Sequence, residues 1–255
     1  MRTPLERLAD DLGHGGLDDD TLDGRAVAAA TFLEGASAGE ILQQVVTAFA
    51  HPVITSSFGI DSTVLLAEAA ADAPTLPVAF LDTGFHFAET VRHRRDLARR
   101  LPNPIVDVAT PMTTRRQAAI YGPRLHDRDP DTCCGIRKVA PLRALLQGHD
   151  AWVTGERRDQ TDARRDTPIV SIARMNEHRL ARIAPLAAWT SAQVEARHAE
   201  HGLPAHPLAA SGYTSVGCEP CTAPPAGTDR DGRWVGTDKT ECGLHMGNLG
   251  GTRGR

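Results

Sequence analysis

Short apolar runs, each followed by a break and then a helix-length stretch, recur along the middle of this chain, and that alternation constrains its fold more than any other feature. Pro52-Val53-Ile54-Thr55 reads as a short buried strand, broken at Gly59 and followed by a helical stretch over 63–71. Residues 78–81 read as a second strand, followed by the loop Asp82-Thr83-Gly84 and a basic helix over 89–101. A third strand is expected over 104–108, a helix over 139–146 and a fourth strand over 151–153. Thr190 and Gln193 box the start of a further helix that ends near Gly202. Strands alternating with helices predict an α/β fold built on a doubly wound parallel sheet. Ligands in such sheets bind at the carboxyl ends of the strands, so the loops after 52–55, 78–81 and 151–153 are expected to share one site.

The flanks differ from this core. Residues 1–48 read as helical, with Ser37 and Glu40 forming a capping-box pattern ahead of Ile41, Leu42, Val45 and Val46. After about residue 204 the periodicity stops and Pro, Gly and Cys dominate, the pattern of a tail ordered by a ligand or by docking. The division expected is a helical segment at 1–48, an α/β core at 49–208 and a cysteine-bearing tail at 209–255.

Composition narrows the functional classes. The formal net charge is −4, so bulk basicity gives no reason to expect nucleic acid as a partner. An anionic ligand would have to be held by a local cluster of Arg and Lys. No apolar run approaches the length that spans a bilayer. The N-terminal region carries Asp18, Asp19 and Asp20 in a row and lacks the basic and apolar regions of a secretory signal, so a cytoplasmic protein is expected. Five cysteines in that compartment point to metal or redox chemistry and not to structural disulfides. The oligomeric state is left open, and a homo-oligomer is compatible with the sequence.

The first candidate site is Ser56-Ser57-Phe58-Gly59-Ile60-Asp61-Ser62, which follows a strand and opens a helix. Backbone N–H groups at a helix N-terminus attract anions and Ser hydroxyls add donors, so phosphate or sulfate is the natural guest. The plain alternative is a strand-to-helix turn with Ser62 as its cap. The stretch resembles the PP-loop of adenine-nucleotide α-hydrolases, with Phe58 where the ATP-cleaving members usually carry Gly. The second candidate follows the next strand: Leu81, then Asp82-Thr83-Gly84-Phe85-His86-Phe87, where Gly84 permits a tight turn and Asp82 could accept a hydrogen bond from a ribose or adenine. Alone, it reads as an ordinary strand-to-helix turn.

The cysteines admit two partitions. Cys133 and Cys134 with the C-x2-C pair Cys218 and Cys221 would complete the four thiolates of a [4Fe–4S] cluster and leave Cys242 as a nucleophile. Alternatively Cys218, Cys221, Cys242 and His245 have near-zinc-site spacing and leave Cys133 and Cys134 spare. A dithiol redox pair at 218–221 lacks the strand-to-helix context of a thioredoxin-like motif, and scattered buried thiols explain single cysteines but neither pair.

Taken together, Cys133-Cys134-Gly135-Ile136-Arg137-Lys138, Trp152 to Gln160, Gly212-Tyr213 through Gly217-Cys218-Glu219-Pro220-Cys221-Thr222, and Lys239-Thr240-Glu241-Cys242-Gly243-Leu244-His245 resemble bacterial assimilatory adenylyl-sulfate reductases. Residues 56–62 and 81–87 match as well, so the resemblance covers roughly residues 50–247. It implies a [4Fe–4S] cluster on Cys133, Cys134, Cys218 and Cys221. It also implies a nucleophile at Cys242 on a mobile C-terminal segment, supported by His245, and reduction by thioredoxin. The substrate implied is adenosine 5′-phosphosulfate, cleaved to sulfite and AMP through an S-sulfonated cysteine. Ser56, Ser57, Phe58, Gly59, Ser62, Leu81, Asp82, Thr83 and Gly84 are the implied substrate loops. Lys138, Arg230 and Arg233 resemble the family's active-site cations, and Arg157 and Arg158 are further candidates for the anionic substrate. Thr161-Asp162-Ala163-Arg164-Arg165 departs from the Ser-Pro-Gly-Thr-Arg common in the family, which leaves open whether Arg164 or Arg165 takes the substrate role. The cluster is expected to tune electrostatics and structure, because thiol chemistry already accounts for the two electrons. The neighbouring readings are a cluster-bearing 3′-phosphoadenylyl-sulfate reductase, a PP-loop sulfurtransferase or ATP pyrophosphatase, and a zinc-stabilised binding module.

Overall fold

The computed structural model describes residues 2–227, 230–237, 239 and 241. Six strands form one sheet: β1 (Pro52–Ser56), β2 (Val78–Asp82), β3 (Ile105–Ala109), β4 (Ala151–Val153), β5 (Val170–Met175) and β6 (His178–Ile183). Their order is β3-β2-β1-β4-β6-β5. All neighbours run parallel except β5, which pairs antiparallel with β6 through Met175 opposite His178. The expected parallel sheet is therefore mostly parallel, with one antiparallel strand at its edge. The β5–β6 hairpin carries arginines where an apolar strand signal would stand. Arg174 and Arg179 point to Asp19 and Asp23 of a neighbouring helix, with Arg179 Nε 2.7 Å from Asp19 Oδ1.

The helices are α1 (Pro4–His14), α2 (Asp19–Leu33), α3 (Ala38–Ala48), α4 (Ile60–Asp72), α5 (Ala88–Ala98), α6 (Thr114–Tyr121), α7 (Leu125–Arg128), α8 (Pro130–Cys134), α9 (Ala140–Leu146) and α10 (Ser191–Glu200). A π-helical turn, Gly135–Val139, joins α8 to α9. The capping boxes at Ser37/Glu40 and Thr190/Gln193 form as expected. Thr3 and Glu6 make a third at the start of α1. Among the described residues no helix is long and apolar enough to cross a membrane.

Strand residues alternate between two apolar layers, as the pleat requires. Ile54, Val78, Phe80, Val153 and Ile183 pack in one layer with Leu5, Leu8, Leu33, Leu42, Leu65 and others from the first four helices. Val53, Ala79, Trp152 and Leu180 pack in the other with Leu142 and Leu146 of α9. Helices on both faces of a mostly parallel sheet are the doubly wound arrangement. The strand order reverses between β1 and β4, which places the ligand crevice beyond the carboxyl ends of those two strands.

Candidate active site

A cavity of about 540 Å³ lies at that crevice, within the size range of small-molecule sites. The loop from β1 into α4 forms one wall. Gly59 is the N-cap of α4 and makes no side-chain cap, so the first-turn N–H groups have no partner from that residue. Ser57 Oγ and Ser62 Oγ lie 3.2 Å apart, and Ser56, Ser57, Gly59 and Ser62 all line the cavity. Ser62 stands inside the first turn of the helix and is not its cap.

Phe58 is the exception in this loop. Its φ is 56°, in the left-handed region. Its N–H donates to Ser56 Oγ at 3.0 Å, and its ring is fully buried edge-on to Phe80 at 5.6 Å. Phe58 thus turns the loop from the core side and does not line the cavity.

The second loop divides between two sites. Leu81 lines the cavity; Asp82, Thr83 and Gly84 do not. Asp82 accepts the Gly84 N–H at 2.8 Å, which closes the turn that Gly84 makes at φ 70°. Thr83 is buried, with its hydroxyl 3.3 Å from Cys218 Sγ. His86, two residues beyond Gly84 in the same loop, lines the cavity. Its Nε2 contacts the Leu81 carbonyl at 3.0 Å, and burial holds its pKa below the usual imidazole value.

The arginines separate clearly. Arg157, Arg164, Arg230 and Arg233 line the cavity; Arg158 and Arg165 do not. Arg157 donates from Nε to Asp61 Oδ1 at 2.7 Å and to the Trp189 carbonyl and Ser191 Oγ through its other nitrogens. Arg158 reaches out to Glu34, and Arg165 is exposed and pairs with Asp162. Arg164 is buried and bound to Glu241. The ambiguity between 164 and 165 thus falls to Arg164 as the residue at the cavity. Arg233 stacks over Trp234 at 4.6 Å and donates to Ser215 Oγ. A Cβ at Gly217 would collide with its guanidinium, so that close approach requires glycine.

Cys133, Cys134, Cys218 and Cys221 line one small cleft beside the cavity, together with Phe85, Arg137 and Lys138. The first three are buried and Cys221 is half-buried. The main chain ties the second pair to the loop after β2, because Glu219 N–H donates to the Phe85 carbonyl at 2.7 Å and His86 bridges Cys218. Burial pushes the Cys133 thiol up and, with the neighbouring Cys218, pushes Cys221 to about 11. Arg137 Nη2 and His126 Nδ1, on residues that also line this cleft, have no hydrogen-bond partner among the described residues. Among the described residues no group of three or more His, Cys, Asp or Glu closes on a single metal ion. A four-iron cluster makes a different demand, since each thiolate binds its own iron corner and the sulfurs stay apart. Four soft donors around one cleft, with a buried cation alongside, fit such a group.

Lys138 lines both the cavity and the cysteine cleft. It sits on the π-helical turn that follows Cys134, and the extra residue of that turn sets where its side chain points. Cys242 and His245 lie outside the described residues.

Residues 51–224 match the family model described as the phosphoadenosine phosphosulfate reductase domain. The chain is 42% identical over 216 residues to an adenosine 5′-phosphosulfate reductase of Streptomyces coelicolor, covering 84% of this chain and 90% of that protein. It is 43% identical over 212 residues to a phosphoadenosine 5′-phosphosulfate reductase of Gloeobacter violaceus, covering 80% and 87%. Its fold is similar to the crystal structure of a phosphoadenylyl-sulfate reductase from Candida auris in a phosphate complex, with a TM-score of 0.69 at 24% identity, covering 82% of this chain and 99% of that one.

Proposed function

The chain belongs to the phosphoadenosine phosphosulfate reductase family, and from that premise we propose that it reduces adenosine 5′-phosphosulfate to sulfite and AMP with thioredoxin as reductant. The observation that carries this reading is Lys138, which joins a cavity of nucleotide size, lined by four arginines, to a cleft of four cysteines.

The chemistry follows from the groups in reach. The substrate is a mixed anhydride of phosphate and sulfate. Backbone N–H groups at the start of α4, with Ser57 and Ser62, suit its phosphate oxygens. Lys138 and Arg233 line the cavity and supply positive charge where negative charge develops on the departing phosphate oxygen. The Cys242 thiolate attacks the sulfur, an S–S bond forms, and the S–O bond to the bridging oxygen breaks. AMP leaves with that electron pair, and Cys242 carries the sulfonate. A thioredoxin thiolate then attacks the Cys242 sulfur and expels sulfite. The second thioredoxin thiol resolves the mixed disulfide, so the dithiol supplies both electrons. Cys133, Cys134, Cys218 and Cys221 would hold a [4Fe–4S] cluster, which would cross-link the two cysteine pairs and set the electrostatics around Lys138 when bound.

The deciding experiment is sulfite release from adenosine 5′-phosphosulfate and its 3′-phosphorylated form, side by side, with thioredoxin under anaerobic conditions. Preference for the first supports the proposal. Preference for the second keeps the mechanism and moves the substrate to that of the Gloeobacter relative. Cys242→Ser should keep the iron and its brown absorbance yet lose turnover by more than about 10³-fold, whereas Cys221→Ser should lose iron. Loss of bound metal in Cys242→Ser would support the zinc partition instead.

A further inference from the structure

Glu241 is the covalent neighbour of Cys242, and its carboxylate pairs with Arg164 and Arg230, both of which line the cavity. Arg164 grips it bidentately, with Nη2 2.7 Å from Oε2 and Nε 3.2 Å from Oε1. Thr161 donates its hydroxyl to Oε1 at 3.1 Å, and Arg230 Nη2 reaches Oε2 at 3.4 Å. The two partners of the main pair are 8% and 11% exposed. The remaining arm of Arg164 donates to Gln160 Oε1. Gln160 in turn donates from Nε2 to Asp61 Oδ2 at 2.9 Å, and Asp61 also takes Arg157. Thus the guanidinium fork of Arg164 is filled by protein oxygens and tied through Gln160 to the first turn of α4. Two residues earlier, Lys239 pairs with Asp131, just ahead of the Cys133-Cys134 pair, and its ammonium lies 5.6 Å from the Trp234 ring. The tail is therefore held at 239 and again at 241.

We propose that Arg164 and Glu241 form a clasp that seats the catalytic tail, so that Arg164 is a positioning residue for Cys242 and not a ligand of the substrate. Resting on the reading that Cys242 is the nucleophile, the proposal assigns Arg164 a task different from that of Lys138 and Arg233. A planar fork matched to one carboxylate gives direction as well as charge. Fixing residue 241 limits where the next side chain can go, and small misplacements of a nucleophile cost large factors in rate.

The test uses iron-loaded full-length protein under anaerobic conditions, with Glu241→Gln, Arg164→Gln, their double variant and Glu241→Asp. Two readouts are taken: steady-state constants with adenosine 5′-phosphosulfate, and the rate at which iodoacetamide alkylates Cys242 without substrate, followed by peptide mass. For a clasp, each single Gln variant lowers kcat about tenfold or more, with KM within about twofold. Each also speeds alkylation of Cys242. The double variant is no worse than either single one, because both break the same contact. Glu241→Asp keeps the charge on a shorter arm and falls between wild type and Glu241→Gln. A rise in KM of about tenfold or more in Arg164→Gln, with kcat and alkylation unchanged in Glu241→Gln, would make Arg164 a substrate ligand and overturn the proposal. Additive losses in the double variant would also overturn it. Should Arg164→Gln fail to fold, judged by iron content and melting temperature, Glu241→Gln alone decides. If wild type releases no sulfite from either nucleotide, the reductase reading fails, while the alkylation rates still decide whether Arg164 and Glu241 hold the tail.

Discussion

At the scale of single residues, Phe58 shows how one side chain can serve the core and shape the site at once. An aromatic residue at φ 56° carries backbone strain of about 1–3 kcal/mol. Complete burial of its ring against Phe80 offsets that strain. The turn it makes leaves Ser57 and Gly59 facing the cavity. Replacement by Ala removes the packing, worth about 3–5 kcal/mol, and keeps the strain because Ala retains a Cβ. Replacement by Gly removes both, and recovers about 1 kcal/mol of strain. Phe58→Gly should therefore be less destabilised than Phe58→Ala, the reverse of the order at most sites. Urea unfolding of the two variants checks this, and an Ala variant as stable as the Gly variant would refute it. The sequence places Phe58 in an anion loop and marks it as a departure from Gly. The direction of its ring depends on Phe80, which is distant in sequence, and could not be read locally.

At the scale of elements, the parts of the fold that rest on local periodicity were legible, and the parts that rest on partners were not. The strands β1, β2 and β4 are apolar runs closed by turn residues, and each forms within a residue or two of its expected place. The β5–β6 hairpin is the counter-example. Its two-residue turn, Asn176-Glu177, has no glycine, and only the left-handed φ of Asn176 betrays it. Its arginines make sense only once Asp19 and Asp23 are beside them. The site follows the same rule. Spacing alone leaves two partitions of the cysteines open, and only the family resemblance groups the four that line one cleft; the π-helical turn behind Lys138 has no sequence signature, and the pairing of Glu241 with Arg164 joins residues far apart in the chain. A testable consequence belongs to this scale. The cleft joins α8 to the short 3-10 turn Glu219–Cys221, and the chain from there to 241 folds back through the Thr222–Arg233 bridge. Gly232 permits this return, since a Cβ there would strike the Ala223 carbonyl. If the four cysteines hold the proposed cluster, stripping its iron by oxidation and chelation should loosen this segment before the core. Trypsin should cut after Arg230 and Arg233 several-fold faster in the stripped protein, with cleavage in 52–200 unchanged, read by mass spectrometry. Equal rates before and after stripping would show that the cysteines do not tie the segment down.

At the scale of the whole molecule, only two of the 28 basic residues are lysines, and both, Lys138 and Lys239, lie at the site or on the tail beside it. The arginines elsewhere are largely spent on surface ion pairs, each worth little by itself. Acid stability is therefore set more by buried imidazoles than by that surface. Burial lowers the pKa of His86, of His93 and of His206, the last to about 4, with His93 adding to the effect and Glu89 opposing it. His206 is fixed as a neutral tautomer. Its Nδ1 accepts the Leu208 N–H at 3.3 Å, so the ring proton sits on Nε2, 3.0 Å from Thr90 Oγ1. Because its folded pKa lies below the ordinary value of 6.5, the unfolded chain binds the extra proton first as pH falls. The contribution is whole above pH 6.5 and is lost on descending towards pH 4. Carboxylates with lowered pKa, among them Asp19 beside Arg179 and Glu34 beside Arg158, begin to cost stability as pH approaches their ordinary values of 3.8 and 4.5, at the bottom of that range, and they do so equally in wild type and in a His206 variant. His206→Gln keeps a donor for Thr90 and cannot titrate. Comparing urea midpoints of wild type and His206→Gln from pH 7 to 4.5, the wild type should lose on the order of 1 kcal/mol more than the variant, the full linkage value being reduced for partial exposure. Parallel curves across that window would mean that His206 is not held neutral by the fold.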